Sequence, residues 1–135
     1  MTPEQESYAG DDVTQTLTIP GRFPSLNEVI EAAKSHYGAY SKMKRELTLS
    51  VAVLAKAGRL KAVHGLVKVV FFWYEQDARR DVDNVCAAGT KFCLDGLVEA
   101  GILADDGQKT VSQLVHHFSV SKDKPRVVIE ITELT

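Results

Sequence analysis

The chain has 135 residues, 44% of them hydrophobic and 25% charged, which suits one globular domain with a single core. It is too short for two comfortable domains and too apolar for a disordered chain. The net charge of −2 excludes a protein uniformly coated in positive charge, yet leaves room for local basic clusters that face nucleic acid.

The opening MTPEQESYAGDDV, residues 1–13, is acidic and polar, the opposite of a secretory leader, and is expected to fray. The folded domain is expected over 14–135. TQTLTIPG (14–21) alternates Leu17 and Ile19 with threonines and stops at Pro20-Gly21, so it reads as a strand with one buried face. In PSLNEVIEAAKSH, Ser25 and Glu28 form a capping-box signature, and Leu26, Val29, Ile30 and Ala33 make one short helix face. HYGAY is read as a joint.

SKMKRELTLSVAVLAKAG (41–58) is a second helix, with Met43, Leu47, Val51 and Leu54 as its apolar stripe and Gly58 as its C-cap. Lys42, Lys44 and Arg45 crowd its first turns. The helix dipole favours anions there, so these cations form either a solvated face or a surface for a phosphate backbone. HGLVKVVFFWYEQ (64–76) is the strongest strand signal, apolar on one face and half so on the other, which predicts a central strand. Its apolar run is broken by Lys68 and is too short to cross a membrane.

DNVCAAGTKFCLDGLVEAG (83–101) is the third helix, ended by Gly101, with Gly89 and Gly96 predicting close backbone packing. Cys86 and Cys93 would lie about 10 Å apart along it, too far to bond, so free thiols in a reducing cytosol are expected. QKTVSQLVHHFSVSKD and KPRVVIEITEL are two further strands, predicted to form a hairpin through Lys122–Pro125. The adjacent His116 and His117 would face opposite sides of a strand, which disfavours a zinc site. The order β-α-α-β-α-β-β implies an α+β domain, one mixed sheet with helices packed on it.

Four acidic residues stand apart from this pattern. Asp81 and Asp83 follow the apolar strand in RRDVDN, and Asp105 and Asp106 follow the third helix in ADDGQ. Two readings stay open. Asp83 is an N-cap, Asp81 a turn residue and Asp106-Gly107 an ordinary turn. Alternatively, two carboxylates one residue apart repel unless a cation lies between them, and the four aspartates form an oxygen-ligand site. Such a site suits Mg²⁺ or Mn²⁺ rather than zinc. A loop running back beside the helix could join the two pairs, but spacing alone does not require it.

RRDVDN together with KFCLDGLVEAGILADDGQ resembles the RusA family of endodeoxyribonucleases, the Holliday-junction resolvases of phages and prophages. TIPGRFPSLNE resembles the family's first strand and its Pro- and Asn-containing turn, so the likeness runs from about Thr16 to the end. The resemblance implies that Asp81, Asp83 and Asp106, with Asp105 beside it, hold Mg²⁺ (or Mn²⁺). It implies a catalytic lysine at Lys91, if KFCLD is aligned through Leu94-Asp95. That alignment includes one extra turn, VCAA; without it the position falls on Ala87. The same lysine could instead be a surface partner of Asp95 at i,i+4. The resemblance further implies a homodimer acting on four-way junction DNA in the cytoplasm of a bacterial host or phage-infected cell. Lys42, Lys44, Arg45, Arg79 and Arg80 are the cations expected to hold the DNA backbone by charge. The rival readings are a flap or fork nickase without junction preference, a branched-DNA-binding protein without turnover, and a structural domain.

Overall fold

The computed structural model describes residues 13–134. Their elements are β1 (Thr14–Pro20), α1 (Leu26–Ser35), α2 (Ala39–Ala57), β2 (Val67–Glu75), α3 (Val82–Glu99), β3 (Val111–Val120) and β4 (Arg126–Glu133), in the expected α+β order. Residues 1–12 of the segment expected to fray lie outside the described residues. Val13 already belongs to the sheet edge, since its carbonyl accepts from the Glu133 amide at 3.1 Å.

The four strands form one mixed sheet in the order β1-β4-β2-β3. β2 is central, as its two apolar faces predict. The hairpin expected between β3 and β4 does not form. β3 pairs with β2 in parallel, and β4 crosses to the other side of β2, pairing antiparallel with both β2 and β1. The physical reason lies in α3: a helix between two strands carries the chain back across the sheet, so β3 starts at the same end as β2. β4 then shields the second long edge of the most apolar strand.

The helices share one face of this sheet. Val69, Phe71 and Trp73 from β2 meet Val51 and Ala55 of α2 and Val85, Phe92 and Leu97 of α3 in the main core. The opposite face holds a smaller cluster of Val70, Phe72, Tyr74 and Val128. His116 stacks on Phe71 and Trp73 while His117 stacks on Phe72, so the two histidines stand on opposite faces. Trp73 Nε1 donates to His116 Nδ1 at 2.9 Å, and burial, with the neighbouring His117 charge, pushes the His116 imidazole below its ordinary range. Cys86 and Cys93 are free.

Two glycines set how closely α3 can lie. A Cβ at Gly96 would stand 2.5 Å from Val51 Cβ and 2.9 Å from the Thr48 carbonyl oxygen, and one at Gly89 would stand 2.8 Å from the Trp73 ring. The glycines cost helix propensity, and close packing offsets that cost. Gly96→Ala should therefore destabilise the fold by roughly 1–3 kcal/mol, because the branched base of the Val51 side chain and the Thr48 carbonyl, neither free to swing away, block the methyl. Chemical denaturation checks it; a midpoint equal to the parent's would mean that α2 moves away freely.

α2 begins two residues earlier than its sequence suggests, with Gly38 as N-cap. Gly58 is its C-cap but keeps a right-handed conformation; the left-handed residue that ends the helix is Arg59, at φ 58°.

Candidate active site

The strand-to-helix junction after β2 is built by a chain of polar contacts. Arg80 donates from Nε to Glu75 Oε1 at 2.7 Å, and from a terminal nitrogen to the Phe23 carbonyl and to Glu28 Oε1, both at 3.2 Å. Glu28 is also the far member of the capping box that starts α1, reciprocating with Ser25. Burial pushes the Glu28 carboxyl up, but the Ser25 hydrogen bonds and the charges of Arg22 and Arg80 outweigh it and hold the group below its usual range. Asn84 Oδ1 accepts from the Asn27 amide at 3.0 Å, tying the first turn of α3 to the first turn of α1. These contacts fix where α3 begins and which way it points.

Arg80 therefore serves the fold. Its side chain is 13% exposed and spans two carboxylates. A guanidinium so engaged has few donors left for the DNA backbone it was expected to hold. Arg80→Ala should cost roughly 2–4 kcal/mol, because it leaves Glu75, itself buried, without its countercharge. A loss below about 0.5 kcal/mol on denaturation would place the guanidinium in the class of solvent-screened pairs instead.

Asp81 is the N-cap of α3, without a side-chain capping bond, and Asp83 sits in the first turn. The cap is thus Asp81 rather than Asp83, and the helix has begun by Val82, so the two carboxylates do not share an extended segment. Both are exposed. Asp83 Oδ1 accepts from the Asn84 amide at 2.8 Å. Negative charge at a helix N-terminus is favoured by the dipole, which partly offsets the repulsion between the pair.

The far end of α3 explains how the second acidic pair returns. Gly101 takes φ 78°, its amide donates to the Val98 carbonyl, and the Ile102 amide donates to the Leu97 carbonyl at 2.9 Å. This is a Schellman arrangement, and it reverses the chain. Ile102 and Leu103 then anchor in the core, both almost fully buried. The segment 104–108 runs back beside the helix. Asp105 Oδ1 accepts from the Gly107 amide at 2.8 Å, so Asp105 shapes the turn and Asp106 is left to reach the helix.

Asp106 Oδ2 lies 2.9 Å from Lys91 Nζ, and Asp95 Oδ1 lies 3.1 Å from the same nitrogen. The two carboxylates that hydrogen-bond Lys91, Asp106 foremost, raise its ammonium above the ordinary range, and the Lys91 hydrogen bond holds Asp106 below its own. Lys91 is thus both the surface partner of Asp95 and the partner of the second acidic pair. Asp95 carries two signals in the sequence, its i,i+4 spacing from Lys91 and its place in the KFCLD segment.

Across the groove between α2 and α3, a cleft of about 450 Å³ is lined by Tyr40, Lys44, Arg45 and Thr48 on one side and Asp95 and Glu99 on the other. Lys44 and Arg45 therefore line the same groove as Asp95, one member of the Lys91 cluster. Lys42 pairs loosely with Glu46 at 3.9 Å on the helix surface, and Arg79 is exposed beside Asp77.

The residues from Ser25 to Thr132 match the family described as Endodeoxyribonuclease RusA. The chain belongs to the RusA family. No curated protein matches it. The RusA family comprises endodeoxyribonucleases that resolve Holliday junctions by hydrolysing phosphodiester bonds, depend on a metal ion and act on branched DNA. The matched stretch contains the capping box, Asp81, Asp83, Lys91, Asp95, Asp105 and Asp106. Among the described residues no helix is long and apolar enough to cross a membrane.

The RusA-family donors are carboxylate oxygens, the chemistry a hard divalent cation prefers. Their arrangement does not match that chemistry. Among the described residues no three His, Cys, Asp or Glu side chains lie close enough together to hold one ion. Asp83 and Lys91 are eight positions apart on α3, about 12 Å along the axis, and Asp106 stands beside Lys91. The structure therefore brings together Lys91, Asp95 and Asp106, and keeps Asp81 and Asp83 at the start of the helix.

Proposed function

We propose that this RusA-family enzyme is a Mg²⁺-dependent, structure-specific endonuclease that resolves four-way junctions by paired symmetric nicks, working as a homodimer in the cytoplasm of a bacterial host or phage-infected cell. The observation that carries the reading is the pair Asp81 and Asp83, presented to solvent at a junction that Arg80, Glu28 and Asn84 hold rigid. A fold that commits several polar ties, some part-buried and some exposed, to one helix start is positioning something there.

Asp81, Asp83 and Asp106, with Asp105 beside it, are the ligands proposed for Mg²⁺, for which Mn²⁺ would substitute. Such an ion would supply charge neutralisation at the phosphate and a more acidic water. Hydrolysis would join the oxygen of water to the phosphorus as the bond to the 3′ oxygen breaks, and the 3′ oxygen would leave as a hydroxyl. The chain's own contribution is placement and charge. Lys91 offers an ammonium to the phosphate oxygens, a stabilisation that matters most as negative charge grows there. Lys42, Lys44, Arg45 and Arg79 hold the backbone without reading sequence.

The homodimer is supported by β3. That strand pairs only with β2 among the described strands, and its exposed Leu114, Phe118 and Val120 give a second copy an apolar surface at the sheet edge. A two-fold dimer matches a junction with two strands to cut.

The test is competition of a synthetic four-way junction against duplex and flap substrates, with stoichiometry by titration. Junction preference with saturation at one dimer per junction is expected. Equal cutting of flaps would return the flap nickase reading. In the same assay, neutralising Lys44 and Arg45 together should weaken binding for all sequences alike. It should also flatten the salt dependence, by roughly one unit of slope for each phosphate that the protein no longer neutralises. An unchanged slope would move the DNA surface away from the α2–α3 groove.

A further inference from the structure

The joint between α1 and α2 carries two aromatic side chains that the core does not use. α1 ends at Ser35 and α2 starts at Ala39, so the chain reverses within a few residues. Gly38 takes φ 86°, a left-handed conformation open to glycine, and the Ala39 amide donates to the His36 carbonyl at 3.3 Å. Tyr37 stands in this tight turn with its side chain fully exposed, and Tyr40 follows, also exposed, in the first turn of α2. Neither ring belongs to either core cluster among the described residues. Single exposed aromatics are ordinary, so exposure alone assigns nothing.

The charge beside them is what gives the pair a partner. The first turn of α2 holds no acidic residue, and its N-cap makes no side-chain hydrogen bond. Lys42, Lys44 and Arg45 follow at the end of the helix that the dipole already makes positive, an arrangement that an anion relieves. Tyr40 lines the same α2–α3 cleft as Lys44 and Arg45, and Asp95 on its far wall is engaged with Lys91. Rings and cations on one helix end are the two parts of a surface for nucleic acid with unpaired or unstacked bases. A continuous duplex offers such rings little, because its base faces cover one another and only edges and phosphates reach a protein. At a branch point the helical stack is interrupted, and base faces there lack a neighbour.

We propose that Tyr37 and Tyr40 stack on bases at the branch point of the DNA, while Lys44 and Arg45 hold the adjoining backbone. This rests on the branched-DNA reading above. It adds what makes a branch recognisable, since contacts to phosphate fix position and carry no such information. Stacking tolerates any base, so this surface reads the interruption of the stack and not the sequence.

Equilibrium binding of the full chain to a synthetic four-way junction and to a linear duplex of equal length tests the proposal, in chelator so that the DNA stays uncut. The variants are Tyr37→Ala with Tyr40→Ala, Tyr37→Phe with Tyr40→Phe, and Tyr37→Ala alone. The double alanine variant is expected to bind the junction roughly five- to twentyfold more weakly than the parent, and the duplex within about twofold of it. The salt dependence should be unchanged, because no phosphate contact is lost. The double phenylalanine variant should match the parent on both DNAs, since the ring and not the hydroxyl stacks. Tyr37→Ala alone removes a fully exposed side chain, so it keeps the fold and should show part of the loss. Equal losses on junction and duplex overturn the proposal, as does a phenylalanine variant as weak as the alanine one. A parent that binds the two DNAs equally overturns the branched-DNA reading together with it, whereas a junction preference undiminished in the alanine variants overturns the stacking alone.

Discussion

Asp81→Asn and Asp83→Asn should each abolish cleavage of branched DNA while leaving the fold in place. The two side chains are exposed and carry no packing, and Asp81 makes no side-chain capping bond, so neither change opens a cavity or orphans a buried partner. Two small effects oppose each other in stability. Removing a negative charge from the first turn of α3 loses roughly 0.3–1 kcal/mol of dipole stabilisation, and removing repulsion between neighbouring carboxylates returns a similar amount. The net change should be under about 1 kcal/mol, whereas the loss of turnover should be orders of magnitude. Junction binding should be retained or tightened, because a polyanion meets less negative charge. Denaturation midpoints and gel-shift binding beside a cleavage assay separate these outcomes. Full cleavage by both variants in excess chelator would remove the carboxylates from the chemistry.

Lys91→Ala should likewise lose cleavage by orders of magnitude while still binding junction DNA. A side chain that only paired with Asp95 and Asp106 on the surface would change stability by a few tenths of a kcal/mol and little else. The difference between these magnitudes decides the role. The pair is intact through the neutral range. Asp106 is held below its ordinary value, so its contribution is present above the unfolded carboxylate pKa and lost as pH falls through the folded one. Lys91 is held above its ordinary value, so its contribution is present below the unfolded lysine pKa and lost as pH rises through the folded one. The side chains are 53% and 35% exposed, so solvent screening keeps both contributions small. Near-normal cleavage in Lys91→Ala would pass the role to another cation. Arg80 is a poor replacement, because Glu75 and Glu28 already hold it.

The elements legible in the sequence are those with local causes. The capping box of Ser25 and Glu28, the central position of β2 and the close approach at Gly89 and Gly96 each follow from residue chemistry within a few positions. The strand pairing of β3 and β4 is not legible in this way. A short connection through Lys122–Pro125 favours a hairpin locally, and it yields to a non-local effect, the burial of both edges of β2. The structural role of Arg80 is hidden for a related reason. Beside Arg79 and Asp81 it reads as a surface cation, and only the return of α1 across the junction, bringing Glu28 and the Phe23 carbonyl, makes it a structural tie. At the site, the motif names the aspartates, but the extra turn in α3 sets their spacing. Eight positions between Asp83 and Lys91, instead of four, place the lysine and Asp106 one turn farther along the helix. Asn84 carries a local signal of its own. An Asn directly after Asp83 in the first turn of a helix is well placed to bind a neighbouring backbone amide, as it does with Asn27.

The most direct measurement is strand-by-strand mapping of cuts in a synthetic four-way junction whose strands are separately labelled, run with Mg²⁺, with chelator, and with Asp83→Asn. Paired nicks at symmetric positions in two opposing strands, present only for the parent protein with Mg²⁺, are the expected result. Cleavage that persists in chelator or in Asp83→Asn, or single nicks with no counterpart in the opposing strand, would contradict a metal-dependent dimeric resolvase centred on the start of α3.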